Sequence, residues 1–347
     1  MRGNANYWVF DMDFFKDIIK EIGDDYTKLA SDVDDTERFV DTGSYIFNAL
    51  VSGSIYGGIS GDKITAIAGE TSTGKTFFSL AVVKNFLEKH PDGGVMYFDT
   101  ESAIKKNMLE TRGIDLERFG HVQVVTIEQF RNRALKIVDK YLSLPEGDRK
   151  PMMFVLDSLG MLSTEKEIKD VLEDKQTRDM TKSQLVKGAF RMLTLKLGQA
   201  NVPLIVTNHT YDVIGAYVPT KEMGGGSGLK YAASTIIYLS KAKEKDGTEI
   251  VGNIIKAKAV KSRLSRENRV AAIRLYYDER GLDRYYGLLE LGESTGVIKK
   301  VGNRYEIDGK KVYAKEVYTN PEKYFTDDLM SQLDEAAQKE FTYGGGE

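Results

Sequence analysis

The chain has 347 residues, 41% hydrophobic and 29% charged, an ordinary globular composition with room for two domains or for one large domain with appendages. It contains no cysteine, which excludes disulfides and thiolate metal sites, and no run near ~20 uninterrupted apolar residues, which argues against a membrane span. The net charge of −3 gives no global attraction to nucleic acid, so any such binding must come from a local basic patch. The first thirty residues are acidic and aromatic, unlike a signal peptide, and the expected location is the cytoplasm.

Residues 13–22 put Phe14, Ile18 and Ile22 on one helical stripe, with Phe15 and Ile19 beside it. Acidic, linker-like sequence follows (Asp24, Asp25, Asp32, Asp34, Asp35), so residues 1–40 are expected to form a helical arm that packs on the body or on a neighbouring subunit. The main domain is expected from about residue 41. An apolar run at 64–68 reads as a buried strand, and it leads into Gly69-Glu70-Thr71-Ser72-Thr73-Gly74-Lys75-Thr76, a match to G-x-x-x-x-G-K-[ST]. Helix-compatible residues continue over 77–87. Strand, loop and helix in that order are what a phosphate cradle requires. The glycines let backbone N–H groups turn towards an anion, Lys75 brings a point charge to β- and γ-phosphates, and the Thr76 hydroxyl can ligate Mg²⁺.

Further along, strand-like runs at 94–99, 122–126, 152–157 and 202–207 alternate with helix-like segments, the signature of an α/β fold with a parallel sheet. Ligands of such sheets bind at the carboxyl ends of the strands. Asp99 and Glu101, Asp157 and Ser158, and Asn208 and His209 all fall there. Asp157 closes the apolar run MMFVLD and is placed to support a metal, while Glu101, two residues past its strand, is placed to orient or deprotonate a water. A surface salt bridge is the alternative for Glu101. A lone His such as His209 more often hydrogen-bonds a neighbour than binds a metal. From about 285 the character changes: a short hairpin around Asp308-Gly309, an acidic helix over 327–339 and a Gly-rich tail read as a small α/β appendage, 285–347.

Taken together, Thr42-Gly43-Ser44, Gly57-Gly58, GETSTGKT, YFDTES, FVLDSLGML, IVTNHT, GGGSGLKYAAS, KAVKSR and the segment from Leu288 stand in the order found in the RecA-type recombinase superfamily. The chain resembles that superfamily over about four fifths of its length, and within it the phage recombinases of the UvsX type. The resemblance implies a RecA-like P-loop ATPase core over 41–284, flanked by the N-terminal arm and a small C-terminal domain. It implies that Gly69, Glu70, Thr71, Ser72, Thr73, Gly74, Lys75, Thr76, Phe77, Met108 and His209 hold ATP, that Thr76 and Asp157 serve Mg²⁺, and that Glu101 activates water. His209 occupies the position of a γ-phosphate-sensing glutamine in bacterial RecA. Met108 falls on the adenine-stacking tyrosine, where a softer apolar contact would replace the ring. Lys261 and Arg263 match a basic pair that reaches a neighbour's γ-phosphate, although their segment alone reads as a solvated, charged strand edge.

Segments 163–179 and 210–226 resemble the family's two DNA-binding loops, although their acidic residues alone suggest solvated loops. After the first, Lys182, Lys187 and Arg191 can neutralise backbone phosphates. The second carries Tyr211, Tyr217, Val218 and Lys221, of which the apolar and aromatic side chains can prop or stack bases, before Gly225, Gly226 and Ser227 open a helix with N–H groups for a phosphate. The implied function is an ATP-dependent strand-exchange recombinase forming a helical filament on single-stranded DNA, with homologous duplex DNA, mediator and single-strand-binding proteins as further partners and no membrane. The alternatives are a hexameric helicase motor of the same fold and an ATP-binding regulatory protein without DNA.

Overall fold

The structure, a computed structural model, describes residues 12–23, 27, 29, 31, 38–174, 181–212, 221–246, 249–276 and 278–344. It divides into two units, Met1–Glu37 and Arg38–Glu347. In the first, the expected stripe forms α1 (Met12–Ile22), where the Phe14 and Phe15 rings meet edge to face at 5.5 Å.

The second unit begins with a short antiparallel pair, β1 (Phe39–Val40) and β2 (Ile59–Ser60), around α2 (Tyr45–Ser52). Alternating elements follow: β3 (Ile64–Gly69), α3 (Lys75–Lys89), β4 (Gly94–Asp99), α4 (Lys106–Glu110), β5 (Phe119–Gln123), α5 (Ile127–Leu142), β6 (Met152–Asp157), α6 (Glu165–Leu172), α7 (Lys182–Ala200) and β7 (Leu204–Asp212). Next come β8 (Lys221–Met223), α8 (Ser227–Ala232) and three longer strands, β9 (Thr235–Asp246), β10 (Glu249–Ser262) and β11 (Val270–Tyr276). The chain then forms α9 (Leu288–Thr295), β12 (Lys299–Val301), β13 (Arg304–Ile307), β14 (Lys310–Val312), α10 (Ala314–Thr319), α11 (Pro321–Tyr324) and α12 (Asp327–Phe341).

Among the described residues nine strands share one sheet, ordered β11-β10-β9-β3-β7-β6-β4-β5 with β8 added to β7. The run from β9 to β5 is parallel, while β10, β11 and β8 are antiparallel. This is the α/β class the alternation predicts. β3 is buried along its whole length and β6 along all but its first residue, as central strands covered on both faces must be. Side chains of β6 alternate between two cores: Met153 and Val155 join Phe47, Phe78 and Val82 on one face, and Phe154 and Leu156 join Phe130, Phe190 and Leu193 on the other.

Register brings the functional ends together. Gly69 pairs with His209, and Asp99 with Asp157. β3, β4 and β6 therefore deliver their last residues, and β7 its His209, to the same end of the sheet.

Several expectations are corrected. The strand expected at 122–126 lies at Phe119–Gln123, because the Thr126 side chain accepts the Gln129 N–H and starts α5, and Val125 is exposed. The expected first loop contains α6, which forms because Thr164 and Glu167 make a reciprocal capping box. The charged segment read as a strand edge is the second half of a long antiparallel pair, in which Ile255, Ala257 and Ala259 face the core while Lys256 and Lys258 are exposed. Residues 175–179 and 213–220 of the two expected loops, Tyr217 among them, lie outside the described residues.

The hairpin around Asp308 and Gly309 forms as read, with φ of 49° and 72°, the doubly left-handed turn that matches strand twist. From 285 onwards the chain packs into the first core: Ile298, Tyr305, Val317, Leu333 and Phe341 belong to the same cluster as Ile67 and Val82. Leu333→Ala is therefore expected to cost roughly 2–5 kcal/mol and to shift one urea transition, read identically by far-UV circular dichroism and tyrosine fluorescence. A separate early step confined to the last segment would show that it folds by itself.

Candidate nucleotide site

The loop between β3 and α3 is shaped by its small residues. A Cβ on Gly69 would stand 2.7 Å from the Leu239 carbonyl and 2.8 Å from Thr73 Oγ1, and Gly74 sits at φ 87° as the N-cap of α3, a region open to glycine at no steric cost. The loop closes on itself through Thr73 Oγ1, which donates to the Glu70 carbonyl at 2.9 Å. Lys75 is buried, and its ammonium donates to the carbonyls of Gly69 at 3.0 Å and Glu70 at 2.9 Å. Burial pulls its pKa down, while the charges of Asp157 and Glu101 oppose that shift.

Asp157 is the hub of the site. Oδ2 accepts from Thr76 Oγ1 at 2.7 Å and from Tyr97 OH at 2.7 Å, and Oδ1 accepts from Thr207 Oγ1. Tyr97 is held well above its usual pKa by burial and then by the negative charge of Asp157, so it stays a donor. The peptide bond between Asp157 and Ser158 is cis. Glu101, on the loop after β4, accepts from Ser158 Oγ at 3.1 Å and lies 3.9 Å from His209 Nε2. Burial, then the charge of Lys75, lowers the His209 pKa against the opposing pull of Glu101 and Asp157, which keeps the imidazole neutral at pH 7.

Glu101 has a support of its own. The buried Asp99 carboxylate accepts backbone N–H bonds from Glu101 at 3.0 Å, Ala103 at 3.3 Å and Ile104 at 3.2 Å, and its Oδ2 meets His121 Nε2 at 2.9 Å. Asp99 therefore fixes the backbone that carries Glu101.

Lys75, Thr76, Glu101, Asp157, Ser158 and His209 line one cleft of about 580 Å³ with the phosphate loop, together with Phe77, Lys241 and Asn253. An ammonium, a hydroxyl held by a carboxylate and a second carboxylate facing the same space, beside a glycine-bearing loop that opens a helix, are the groups that holding a nucleoside triphosphate with Mg²⁺ requires. A smaller cleft of about 320 Å³ opens at the other ends of the strands, beside Met152 and Pro203, and contains none of these groups.

A family model described as the RecA N-terminal domain matches residues 10–283. The chain belongs to the RecA family. A recombination and repair protein of Enterobacteria phage T4 is 32% identical over 258 residues, 74% of this chain and 64% of that protein. The chain thus covers less than two thirds of that relative's length. Two proteins named RecA are 28% identical: that of Paenarthrobacter aurescens over 87% of this chain and 81% of its own length, and that of Corynebacterium urealyticum over 96% and 84%.

Within this RecA-family chain the remaining candidates are dispersed. Met108, on α4, is half-buried against the first core and does not line the cleft. Lys261 pairs in register with Ile236, and Ile236 with Ala66, which places it level with the start of β3 while the phosphate loop leaves its end. There Nζ donates to the carbonyls of Lys230 and Ala233, both at 2.7 Å. Neither Lys261 nor Arg263 lines the cleft of its own chain. Lys187 and Arg191 are exposed one turn apart on α7, and Lys182 is half-buried at its start. Tyr211 is exposed at the end of β7. Lys221 pairs with Glu70 of the phosphate loop. Gly225 and Gly226 take φ of 83° and 75° ahead of Ser227.

Sequence reasoning missed Tyr97, Thr207, Asp99 as an anchor, Lys241 and Asn253. The polar residues inside apolar strands were the available signal: Tyr97 within GVMYFD and Thr207 within LIVTNH. Removing the anchor should loosen the loop that carries Glu101. Asp99→Ala is expected to speed amide exchange at Glu101, Ala103 and Ile104 by about tenfold or more, the equivalent of a lost charge-assisted hydrogen bond. Unchanged exchange at those three amides would remove Asp99 from this role.

Proposed function

We propose that the chain is an ATP-dependent DNA strand-exchange recombinase that assembles as a helical filament on single-stranded DNA and pairs it with homologous duplex DNA, serving homologous recombination, recombination-dependent replication and repair. The observation that carries this reading is that the phosphate loop, Asp157, Glu101 and His209 share one cleft while the segments read as DNA loops leave the same ends of β6 and β7. The relatives' names, a recombination and repair protein and RecA, support it. Among the described residues no helix is long and apolar enough to cross a membrane. In this reading the work on DNA takes place in a cytoplasm, a host's if the source is viral. Mediator and single-strand-binding proteins would be accessory partners.

In this reading the N–H groups of 69–74 and the Lys75 ammonium cradle the phosphates. Thr76, aimed by Asp157, holds Mg²⁺, and among the described residues no group of three or more His, Cys, Asp or Glu offers a rival metal site. The metal supplies charge neutralisation and polarises the phosphoryl group. Glu101, on its Asp99-anchored loop, orients the water and accepts its proton. His209 would read the γ-phosphate and pass the signal along β7, since the Gly224 N–H donates to the His209 carbonyl at 3.0 Å and Asn208 Nδ2 to the Gly224 carbonyl at 2.8 Å. Lys187 and Arg191 would track DNA phosphates.

Glu101→Gln should keep ATP and single-stranded DNA binding while DNA-stimulated turnover falls by roughly 10²–10⁴; equal losses of binding and rate would make Glu101 structural. The absence of Lys261 and Arg263 from their own cleft fits a role in trans, where such a cation is worth about 10³–10⁵ in rate. Arg263→Ala should bind ATP without hydrolysing it. An excess of Lys75→Ala subunits, dead in their own cradle but carrying Arg263, should restore its turnover. A co-assembled mixture as inactive as its components rules out action across the interface.

A further inference from the structure

Among the described residues three buried side-chain atoms lack a hydrogen-bond partner: Ser44 Oγ, Thr65 Oγ1 and Asn253 Oδ1. Of these residues only Asn253 lines the nucleotide cleft. It is 1% exposed and stands in the inward-facing row of β10, whose next members, Ile255, Ala257 and Ala259, are each 0% exposed and belong to the first core. Its cross-strand partner on β11, Leu275, is likewise buried in that core. An apolar side chain is what this row calls for, because a buried carboxamide without a partner lowers stability. The row is broken at the level of the phosphate loop: a Cβ on Gly74 would lie 3.4 Å from Leu275 Cδ2 and 3.9 Å from Asn253 Nδ2.

Sheet order says which part of a nucleotide Asn253 can meet. β7, β6 and β4, which bring His209, Asp157 and Glu101, lie on one side of β3, and β9 and β10 lie on the other. The γ-phosphate end of the cleft is fixed by the first three residues. Asn253 flanks the loop from the opposite side, where the rest of the molecule must run. A carboxamide is suited to that half, since it offers an acceptor and donors to a base edge or a sugar hydroxyl, whereas the phosphates are already served by Lys75 and the loop N–H groups.

We propose that Asn253 is a nucleoside-contacting residue of the ATP site, its Oδ1 accepting a hydrogen bond from a donor on the nucleoside half of the ligand, either the exocyclic amino group of adenine or a ribose hydroxyl. This rests on the reading of the cleft as a nucleotide site. It also accounts for a polar side chain kept in a core row, and for discrimination at a site where Met108 does not reach the cleft.

The test is equilibrium binding to the full chain of five probes: ATP, purine riboside triphosphate, which lacks the 6-amino group, 2′-deoxy-ATP, 3′-deoxy-ATP and inorganic tripolyphosphate. Asn253→Leu is expected to weaken ATP about 10- to 100-fold, the usual range for an unpaired hydrogen-bonding group, while tripolyphosphate binds as to the wild type and the urea midpoint is equal or higher. Asn253→Ala gives the same pattern without added bulk. If the wild-type preference for ATP over purine riboside triphosphate disappears in both variants, the partner is the base. If the preference over one deoxy analogue disappears, it is the sugar. ATP binding and all preferences unchanged in both variants would overturn the inference while Lys75-dependent tripolyphosphate binding leaves the phosphate site standing. A wild-type chain that binds none of the five probes would instead overturn the nucleotide reading itself, and this inference with it.

Discussion

One buried carboxylate holds the site together. Asp157 receives hydroxyl donors from three other elements, Thr76 on α3, Tyr97 on β4 and Thr207 on β7. A carboxylate with little solvent is tolerated when its lone pairs are filled, and here filling them also sets the distance between the helix that opens the phosphate loop and the sheet beneath it. The covering cores supply the apolar burial, but they do not choose which hydroxyl faces which oxygen. Ser79 extends the network, 3.2 Å from Tyr97 OH, so the first two turns of α3 are each tied to the sheet.

Charge is arranged around that hub in a graded way. Lys75 and His209 both have their pKa pulled down, chiefly by burial, and the two carboxylates of the cleft oppose the shift in each. The result is one ammonium between two carboxylates, beside a neutral imidazole. A folded state that resists protonating His209 loses stability as pH falls below the ordinary histidine range, because the unfolded chain then binds the proton more readily. The same neutrality leaves the imidazole able to donate at one nitrogen and accept at the other, which suits a residue set between a carboxylate and an incoming phosphate.

The cleft is also wired to the segments beyond it. Lys221, at the end of 210–226, pairs with Glu70, and Gly224 is bound to Asn208 and His209. Lys241, on β9, donates to the Ser72 carbonyl. The phosphate loop and the His209 end of the cleft are thus bonded to β8, to Gly224 just after it, and to β9. On the opposite flank His121, on the edge strand β5, reaches the Asp99 anchor, so the loop carrying Glu101 is supported from the sheet edge as well.

Much of this was legible in the residues. Apolar runs of strand length alternating with helical patterns dictate a parallel sheet, the glycines and Lys-Thr after the first run dictate a phosphate loop, and the rule that ligands gather at strand carboxyl ends singled out Glu101, Asp157 and His209. The Asp308-Gly309 turn was equally plain, because only certain residues accept two successive left-handed conformations. What the chain could not declare is which distant groups meet. Tyr97 and Thr207 look like minor interruptions of apolar strands until β4, β6 and β7 are brought side by side. Asn253 looks like one more polar residue in a charged segment until the pairing of β10 with β9 and β11 turns it inward. Local periodicity fixes secondary structure and the residue types a motif needs, since both depend on neighbours in the chain. The partner of a buried polar atom depends on register between strands far apart in sequence, and only the folded sheet decides that.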